Sequence, residues 1–236
     1  MDEIETIFLT RNQLGKEYHY QAQRWFQPIF DHLKKLSNLA RRPYIIGING
    51  AQGSGKSTLA DYLCSVIAPQ NNINAITISI DDFYHTKHKR IQIAHDIHPL
   101  LSTRGVPGTH DIELAIDTLD KLSTGASKLL VPRFNKSIDD RYPDKDFLVV
   151  DQTPDLLILE GWCMGATAQD LSDLKQPIND LERDKDPNLI WRQYVNDCLA
   201  GSYQRFFAHV DSWIMLRAPS FMDVFDWRLE QEQKLV

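Results

Sequence analysis

A glycine-rich stretch at residues 50–58 constrains the fold of this chain more than any other sequence feature. It fits the pattern G-x-x-x-x-G-K-[ST], with Gly50, Gly55, Lys56 and Ser57 at the defined positions. Glycines let the backbone turn its N–H groups inward, so that they form a nest for phosphate oxygens. In such a loop the lysine reaches the β- and γ-phosphates, and the serine hydroxyl binds Mg²⁺. The candidate nucleotide-binding residues are therefore Gly50, Ala51, Gln52, Gly53, Ser54, Gly55, Lys56, Ser57 and Thr58.

The residues on either side of this loop predict a strand before it and a helix after it. Residues 44–49 are mostly apolar and rich in isoleucine, as in a buried strand. Residues 58–67 carry apolar side chains at helical spacing, so the positive end of a helix dipole faces the phosphates. A glycine-rich turn that binds nothing is the alternative. Because strand, loop and helix follow in the required order, we expect the chain to bind a nucleoside triphosphate.

Composition excludes several classes of protein. The net charge of −6 argues against a general nucleic-acid binder, which normally presents a basic surface. No apolar run approaches the roughly 20 residues of a membrane span, and the N-terminus lacks the pattern of a signal peptide. Three widely spaced cysteines indicate neither a disulfide framework nor a zinc site. We therefore expect a cytoplasmic protein without nucleic-acid or membrane partners, and the sequence leaves its oligomeric state open.

Residues 1–42 are predicted to form a helical segment that precedes the nucleotide-binding domain, residues 43–236. Large apolar side chains recur there at steps of three to five, as an amphipathic helix requires. They are Tyr20, Trp25, Phe26, Ile29, Phe30, Leu33 and Leu36. The segment is expected to end at Arg41, Arg42 and Pro43, because proline breaks a helix.

Acidic residues occur at the ends of two further predicted strands. The apolar segments that predict these strands, and a last short one, are residues 75–80, 155–162 and 212–217. Asp81 and Asp82 follow the first segment, and Glu160 lies near the end of the second. Ligands of open parallel sheets bind outside the carboxyl ends of the strands, so these acids are expected beside the loop. The predicted fold is a P-loop NTPase with three α/β/α layers and a mainly parallel sheet.

These acids supply what phosphoryl transfer needs beyond the loop, namely a metal ligand and a base. We predict Asp81 as the base, with a further candidate role at the metal, and Glu160 as a metal or water ligand beside Ser57. Two structural caps are the alternative. A Ras-type GTPase is excluded, because residues 135–138 read N-K-S-I where the guanine motif N-K-x-D requires aspartate.

Residues 104–111 form a polar loop with three candidate ligands. Substrate binding is favoured for Arg104 and His110, whereas Asp111 is equally suited to capping the helix predicted after it. Residues 85–90 are basic and are predicted to be a solvated loop, with phosphate or substrate contact as the second interpretation. Residues 165–188 are predicted to be an irregular excursion.

The joint pattern resembles the uridine kinase, pantothenate kinase and phosphoribulokinase superfamily, and within it the D-glycerate 3-kinase family. The segments that carry this resemblance are residues 50–58, 79–84, 104–111, 131–137 and 159–165. The resemblance implies ATP- and Mg²⁺-dependent phosphorylation of D-glycerate to 3-phosphoglycerate, with Asp81 as base and Glu160 at the metal. It also implies acceptor contacts from Asp82, Tyr84, Arg104, His110, Asp111 and Arg133. An arginine suits a small carboxylate acceptor, because it can donate two parallel hydrogen bonds to it.

Two alternatives stay open at this point. The acceptor could instead be a nucleoside or a pantothenate-like molecule, or the chain could be a non-catalytic ATP-binding regulator. Phosphoryl-transfer kinases often close a lid over the phosphates near the position where this chain ends. The helical pattern at residues 221–236 has no stop signal, which indicates either an incomplete polypeptide or a short family member. Arg228 is the one candidate lid residue in this pattern.

Overall fold

The computed structural model describes residues 3–37, 43–125 and 128–233. The chain divides into two compact units. The first unit contains Met1–Ser79, Thr153–Met164 and Val210–Val236, and the second contains Ile80–Gln152 and Gly165–His209. The predicted boundary between residues 42 and 43 stays a prediction.

The described residues form a set of helices and strands that spans both units. The helices are α1 (Glu3–Arg11), α2 (Glu17–Ser37), α3 (Lys56–Tyr62), α4 (Ala68–Gln70), α5 (Lys87–Asp96), α6 (Ile112–Ser123), α7 (Leu171–Leu174), α8 (Asp180–Lys185), α9 (Ile190–Cys198), α10 (Gln204–Phe207) and α11 (Phe221–Gln233). The strands are β1 (Tyr44–Gly50), β2 (Ala75–Ser79), β3 (Leu129–Val131), β4 (Phe134–Asn135), β5 (Asp140–Arg141), β6 (Leu148–Val150), β7 (Leu156–Gly161) and β8 (Ser212–Leu216). Two π-helical segments, Leu63–Ile67 and Leu199–Tyr203, join α3 to α4 and α9 to α10.

The first unit is built on a four-stranded parallel sheet in the order β2-β7-β1-β8. All six residues of β7 are buried, as expected for a central strand of a parallel sheet. The predicted α/β class with a mainly parallel sheet is therefore confirmed. The register places Ser79, the last residue of β2, opposite Glu160 on β7. One edge of the sheet thus carries both the end of β1, where the glycine-rich loop begins, and Glu160.

Helices α1, α2 and α3 contribute to the core that covers β1. Tyr44, Ile46 and Ile48 alternate along the strand and belong to one cluster of buried side chains with Phe30 and Leu59. Alternate residues of a strand face the same side, so this cluster defines the helix-covered face of β1. On β1, Gly47 is required by close packing, since a Cβ atom there would lie 2.4 Å from the Trp213 ring.

The predicted N-terminal segment is helical, but its apolar face differs from the prediction. Phe30 and Leu33 are buried as predicted, whereas Tyr20 and Trp25 are 73% and 61% exposed. The prediction was wrong at these two residues, because large aromatic side chains on the solvent side of a helix also satisfy a loose apolar spacing. Ala22 is buried instead. The side chain of Leu36 and the predicted break at Arg41 and Arg42 lie outside the described residues.

The second unit contains two short antiparallel pairs, β3 with β6 and β4 with β5. Two predictions in this unit were wrong in part. Residues 87–90 belong to α5 rather than to a loop; residues 87–89 are exposed, as a solvated face requires, but Arg90 is fully buried. Residues 165–188 contain the short helices α7 and α8 rather than only irregular chain. Buried ion pairing and local capping, which spacing does not reveal, explain both differences.

Among the described residues, none of the helices combines the length and the apolar character that crossing a lipid bilayer would demand.

Candidate functional site

The glycine-rich loop of the first unit, residues 50–58, connects β1 to α3. Gly53 and Gly55 have φ angles of 76° and 88°, which L-residues with a side chain rarely adopt. Gly50 is needed for a close approach, since a Cβ atom there would lie 2.6 Å from Ser54 Oγ. The sequence therefore folds locally as a tight loop whose last glycine caps α3, and the first N–H groups of a helix lack intrahelical partners.

Three side chains of this loop suit the phosphates of a nucleotide. Lys56 Nζ donates to the carbonyl oxygen of Ala51 at 2.9 Å, which holds the ammonium group over the loop. The buried Ser54 Oγ has no hydrogen-bond partner within the described ranges of the chain. Ser57 stands in the first turn of α3 and is exposed. A backbone nest with a helix N-terminus, an ammonium group and open hydroxyl groups fits a triphosphate.

Ser57 and Glu160 are brought together as predicted. Ser57 Oγ donates a hydrogen bond to Glu160 Oε1 at 3.1 Å, and Glu160 is 8% exposed. Mg²⁺ prefers oxygen ligands and is usually held by one or two carboxylates together with substrate phosphates and water. This hydroxyl–carboxylate pair therefore fits Mg²⁺. In the part of the chain that the structure describes, no cluster of three or more His, Cys, Asp or Glu side chains is placed to hold a metal ion, and such a magnesium site needs none.

Helix α11 approaches the loop within the first unit. A Cβ atom on Gly53 would lie 2.7 Å from the Cβ atom of Trp227 and 3.3 Å from the backbone nitrogen of Arg228. Arg228, which the sequence offered as a lid residue, is therefore on a helix that contacts the loop. Its role stays a prediction.

Predicted acceptor residues in the second unit form ion pairs. Asp82 is 8% exposed and accepts hydrogen bonds from Arg133 Nη1 at 2.7 Å and from the N–H of Phe134 at 3.2 Å. Asp81 lies in the turn that follows β2 and pairs with Lys136 at 2.6 Å. Asp82 thus fixes the guanidinium group of Arg133, and Lys136 stands beside the predicted base. The predicted placement of both acids beside the loop stays a prediction.

Asp111 has the capping role that the sequence allowed. Its Oδ1 accepts from the N–H of Leu114 at 3.3 Å, which caps α6. Its Oδ2 lies 3.0 Å from Arg141 Nη2 and 3.8 Å from His85 Nδ1. Burial lowers the pKa of His85 from its ordinary value, against the opposing effect of Asp111. An acceptor contact by Asp111 stays a prediction.

Arg104 belongs to a set of three charged residues. Asp139 binds both Arg104 and the fully buried Arg90, the latter at 2.6 Å. Arg90 also donates to the carbonyl oxygen of His85 at 2.6 Å. Two guanidinium groups and one carboxylate leave this triad with a net charge of +1. The Arg104 and Asp139 side chains are 30% and 34% exposed, whereas the Arg90 side chain is not exposed, so Arg104 is the arginine of this triad that reaches solvent.

His110 is buried among aromatic rings and is uncharged at neutral pH. Burial lowers its pKa to about 3, although the charge of Asp81 acts in the opposite direction. Tyr84, another predicted acceptor residue, stacks on the imidazole with ring centroids 4.2 Å apart. His110 Nδ1 lies 2.6 Å from the hydroxyl group of Tyr203. The predicted residues Tyr84 and His110 are therefore brought together.

Four further residues contact the predicted site residues without having been predicted: Lys136, Asp139, Arg141 and Tyr203. Arg90 lay in a segment for which substrate contact was only the second interpretation. Only Lys136 lay within a segment that carried the family resemblance. The others are distant in sequence from the residues that they contact, and each residue type is common on protein surfaces or in cores. No sequence signal distinguished Asp139, Arg141 and Tyr203.

With this geometry established, comparison with known proteins assigns the class. No family model matches the chain. It is 32% identical over 216 residues to the "Uncharacterized kinase mug58" of Schizosaccharomyces pombe, covering 88% of this chain and 76% of that protein. It is 31% identical over 251 residues to the chloroplastic D-glycerate 3-kinase of Arabidopsis thaliana, covering 98% of this chain and 51% of that protein. It is 32% identical over 176 residues to the pantothenate kinase of Haemophilus influenzae, covering 73% of this chain and 53% of that protein.

A solved structure agrees with these sequence relatives. The D-glycerate 3-kinase from Cryptococcus neoformans superposes with a TM-score of 0.73 at 25% identity, covering 91% of this chain and 79% of that one. The fold and the loop thus define a P-loop kinase, a class of ATP-dependent phosphotransferases. Within that class the chain belongs to the D-glycerate 3-kinase family, which confirms the predicted resemblance. The chain spans about half the length of the D-glycerate 3-kinase and the pantothenate kinase that it matches in sequence.

Proposed function

We propose that this protein transfers the γ-phosphoryl group of ATP to a hydroxyl group of a small hydroxy acid, with D-glycerate as acceptor and 3-phosphoglycerate as product. Family membership supports the reaction class. The observation that carries the acceptor class is the Arg90–Asp139–Arg104 triad, which has a net charge of +1 and in which Arg104 is the partly exposed arginine. Arginine binds a carboxylate through charge-assisted hydrogen bonds, so this triad suits an anionic acceptor better than an uncharged nucleoside.

Each of the other residues has a role that its contacts support. The loop backbone and Lys56 bind the phosphates of ATP, and Ser57 with Glu160 would hold Mg²⁺. When bound, Mg²⁺ supplies charge neutralisation at the phosphate oxygens. The Asp81 carboxylate accepts the proton of the attacking hydroxyl group, and Asp82 holds Arg133 for acceptor binding. The three cysteines are free, which suits a reducing compartment and supports a cytoplasmic location.

A pantothenate-like acceptor is the second candidate, and one specific observation favours it. The chain is 32% identical over 176 residues to a pantothenate kinase. Pantothenate also carries both a hydroxyl group and a carboxylate, so Arg104 could serve either acceptor. A non-catalytic regulator is disfavoured, because binding alone requires neither Asp81 nor the acceptor set.

An acceptor screen tests the proposal. The purified protein is incubated with ATP and Mg²⁺ and with D-glycerate, pantothenate or uridine, and both ADP release and the phosphorylated product are measured. We expect a phosphorylated product from D-glycerate, formed at least about a hundredfold more slowly by the Asp81→Asn variant. Product from pantothenate or uridine without any from D-glycerate would overturn the acceptor assignment. ATP binding without turnover on any acceptor would favour a regulator.

A further inference from the structure

A chain of hydrogen bonds leads from a loop backbone to the imidazole of His110. The N–H of Gly108 donates to the Tyr203 hydroxyl oxygen at 3.0 Å, and this oxygen lies 2.6 Å from His110 Nδ1. An N–H···O bond normally spans about 2.7–3.2 Å, whereas O–H donors make shorter bonds. The short distance therefore indicates that the Tyr203 hydroxyl group donates to Nδ1. In a neutral imidazole the other nitrogen, Nε2, then carries the proton.

This tautomer leaves a buried N–H group to be explained. His110 is 3% exposed, and within the described residues its Nε2 atom has no hydrogen-bond partner. Buried polar groups are nearly always paired, so an unpaired one calls for a ligand or another functional explanation. The Asp81 carboxylate lies close enough for its charge to act on the ring. His110 is therefore within electrostatic range of the residue proposed as the base.

The surroundings hold the ring in one orientation. Tyr84 stacks on it at an interplanar angle of 18°, and Tyr203 meets it edge-on with ring centroids 5.9 Å apart. Gly108 packs so closely on α9 that a Cβ atom would lie 2.5 Å from the Tyr194 ring. A rigid ring with one fixed acceptor and one open donor is preorganised to recognise an oxygen atom.

We propose that Tyr203 is a positioning residue that holds His110 as the Nε2–H tautomer, and that His110 donates this hydrogen to an oxygen atom of the acceptor substrate. The inference rests on the proposed function, since it assigns a ligand to the same acceptor set. Because the imidazole stays neutral, it contributes a directional hydrogen bond and no charge. His110 therefore recognises a hydroxyl or carboxylate oxygen by its position, while Arg104 provides the positive charge.

The first test is spectroscopic and needs no turnover. Long-range ¹H–¹⁵N correlation spectra of the wild-type protein at pH 7 report which imidazole nitrogen carries the proton. We expect the Nε2–H tautomer for His110 and a change of its Nε2 resonance when D-glycerate, pantothenate or uridine is added, whichever is the acceptor. A proton on Nδ1, or an Nε2 resonance that none of these compounds shifts, would overturn the proposal.

The second test uses Tyr203→Phe, which removes the hydroxyl group and keeps the ring. We expect a mixture of His110 tautomers, an acceptor KM raised about fivefold and a nearly unchanged KM for ATP, as for one lost hydrogen bond. Tyr194→Phe is the matched control, because its hydroxyl group is 3.5 Å from the carbonyl oxygen of Gly108 and does not reach His110. Equal increases of the KM values for ATP and for the acceptor would contradict the positioning role of Tyr203. So would a His110 imidazole that keeps its single tautomer in the variant.

The two tests separate this inference from the proposed function. If the wild-type protein phosphorylates no acceptor, the proposed function fails, while the tautomer and the resonance shift still decide the role of His110. If phosphorylation is normal but the tautomer is Nδ1–H, only the inference fails. Should Tyr203→Phe not fold, the wild-type spectra decide alone.

Discussion

The glycine-rich loop and the proposed acceptor set, whose charged members are Asp82, Arg104, Asp111 and Arg133, present different kinds of chemical groups. The loop uses contiguous backbone, with two glycines at positive φ and one hydrogen bond from Ser57 to the Glu160 carboxylate. The acceptor set uses charged side chains from separate segments, each already paired with a partner. Substitutions in the loop should therefore act through backbone geometry and the affinity for ATP. Substitutions in the acceptor set should act through charge balance and the affinity for the acceptor.

The largest effect is expected from Asp81→Asn, which removes the proposed base but preserves the shape of the side chain. Turnover should fall by about 10²- to 10⁴-fold, as is typical for loss of a general base. ATP binding should change little, because the loop that binds it is intact. Steady-state kinetics and ATP titration measure the two quantities separately.

Lys56→Ala provides the comparison from the loop. It should raise the KM for ATP with every acceptor, because the Lys56 ammonium group binds the phosphates.

Unchanged turnover in the Asp81→Asn variant would eliminate Asp81 as the base.

Arg104→Gln tests whether the charge of the acceptor set determines the affinity for the acceptor. It leaves Arg90 and Asp139 as a neutral pair, so the net positive charge is lost. The acceptor KM should rise by about 10- to 100-fold, as for loss of a charge-assisted hydrogen bond, and the KM of ATP should stay nearly constant. Initial-rate kinetics with each substrate varied in turn give both constants.

Arg205→Gln is the matched control for this substitution. Arg205 is 61% exposed and pairs with Glu113 on α6, so its replacement should leave both KM values unchanged. An acceptor KM that rises equally in both variants would indicate a general charge effect rather than binding by Arg104.

A pH effect on stability is expected from His110. Its pKa is about 3 in the folded protein, compared with an ordinary value near 6.5, so the unfolded chain binds one more proton between these values. Stability is therefore complete above pH 6.5 and falls as the pH is lowered, by at most about 1.4 kcal/mol per pH unit. Urea unfolding at pH 7, 6 and 5 should show a steeper loss for wild type than for His110→Gln. If the free energy of unfolding falls equally with pH in both proteins, His110 is not neutral in the folded state.

The smallest effect is expected from Gly55→Ala, which isolates backbone strain in the loop. Gly55 has a φ of 88° and no other atom within 4 Å of a Cβ position, so only conformational strain opposes alanine, at about 1–2 kcal/mol. Gly53→Ala should destabilise more, because its Cβ atom would also meet Trp227 on α11. Thermal unfolding of both variants measures the difference, and equal losses would argue against the contact with α11.

Local sequence pattern predicted the parallel sheet of the first unit well. Strands β1, β2, β7 and β8 lie where apolar segments predicted them. The central strands β1 and β7 are apolar because they are buried on both faces, whereas the edge strand β8 exposes Trp213 and Met215. The pattern was less reliable for the aromatic residues of α2, where Tyr20 and Trp25 face solvent. It also could not show that Arg90 is buried, since the partner that neutralises it, Asp139, is far along the chain.

By itself, the sequence determined the phosphate-binding loop, the strands around it and the meeting of Ser57 with Glu160. These features depend on contiguous residues and on strand ends that a parallel sheet must bring to one edge. Only the tertiary structure decided which acids are paired, which arginines share the Asp139 carboxylate and which nitrogen of His110 is left unpartnered among the described residues. Those properties depend on burial and on contacts between distant segments, such as Tyr203 with His110. Neither can be deduced from the spacing of residues within a short stretch of sequence.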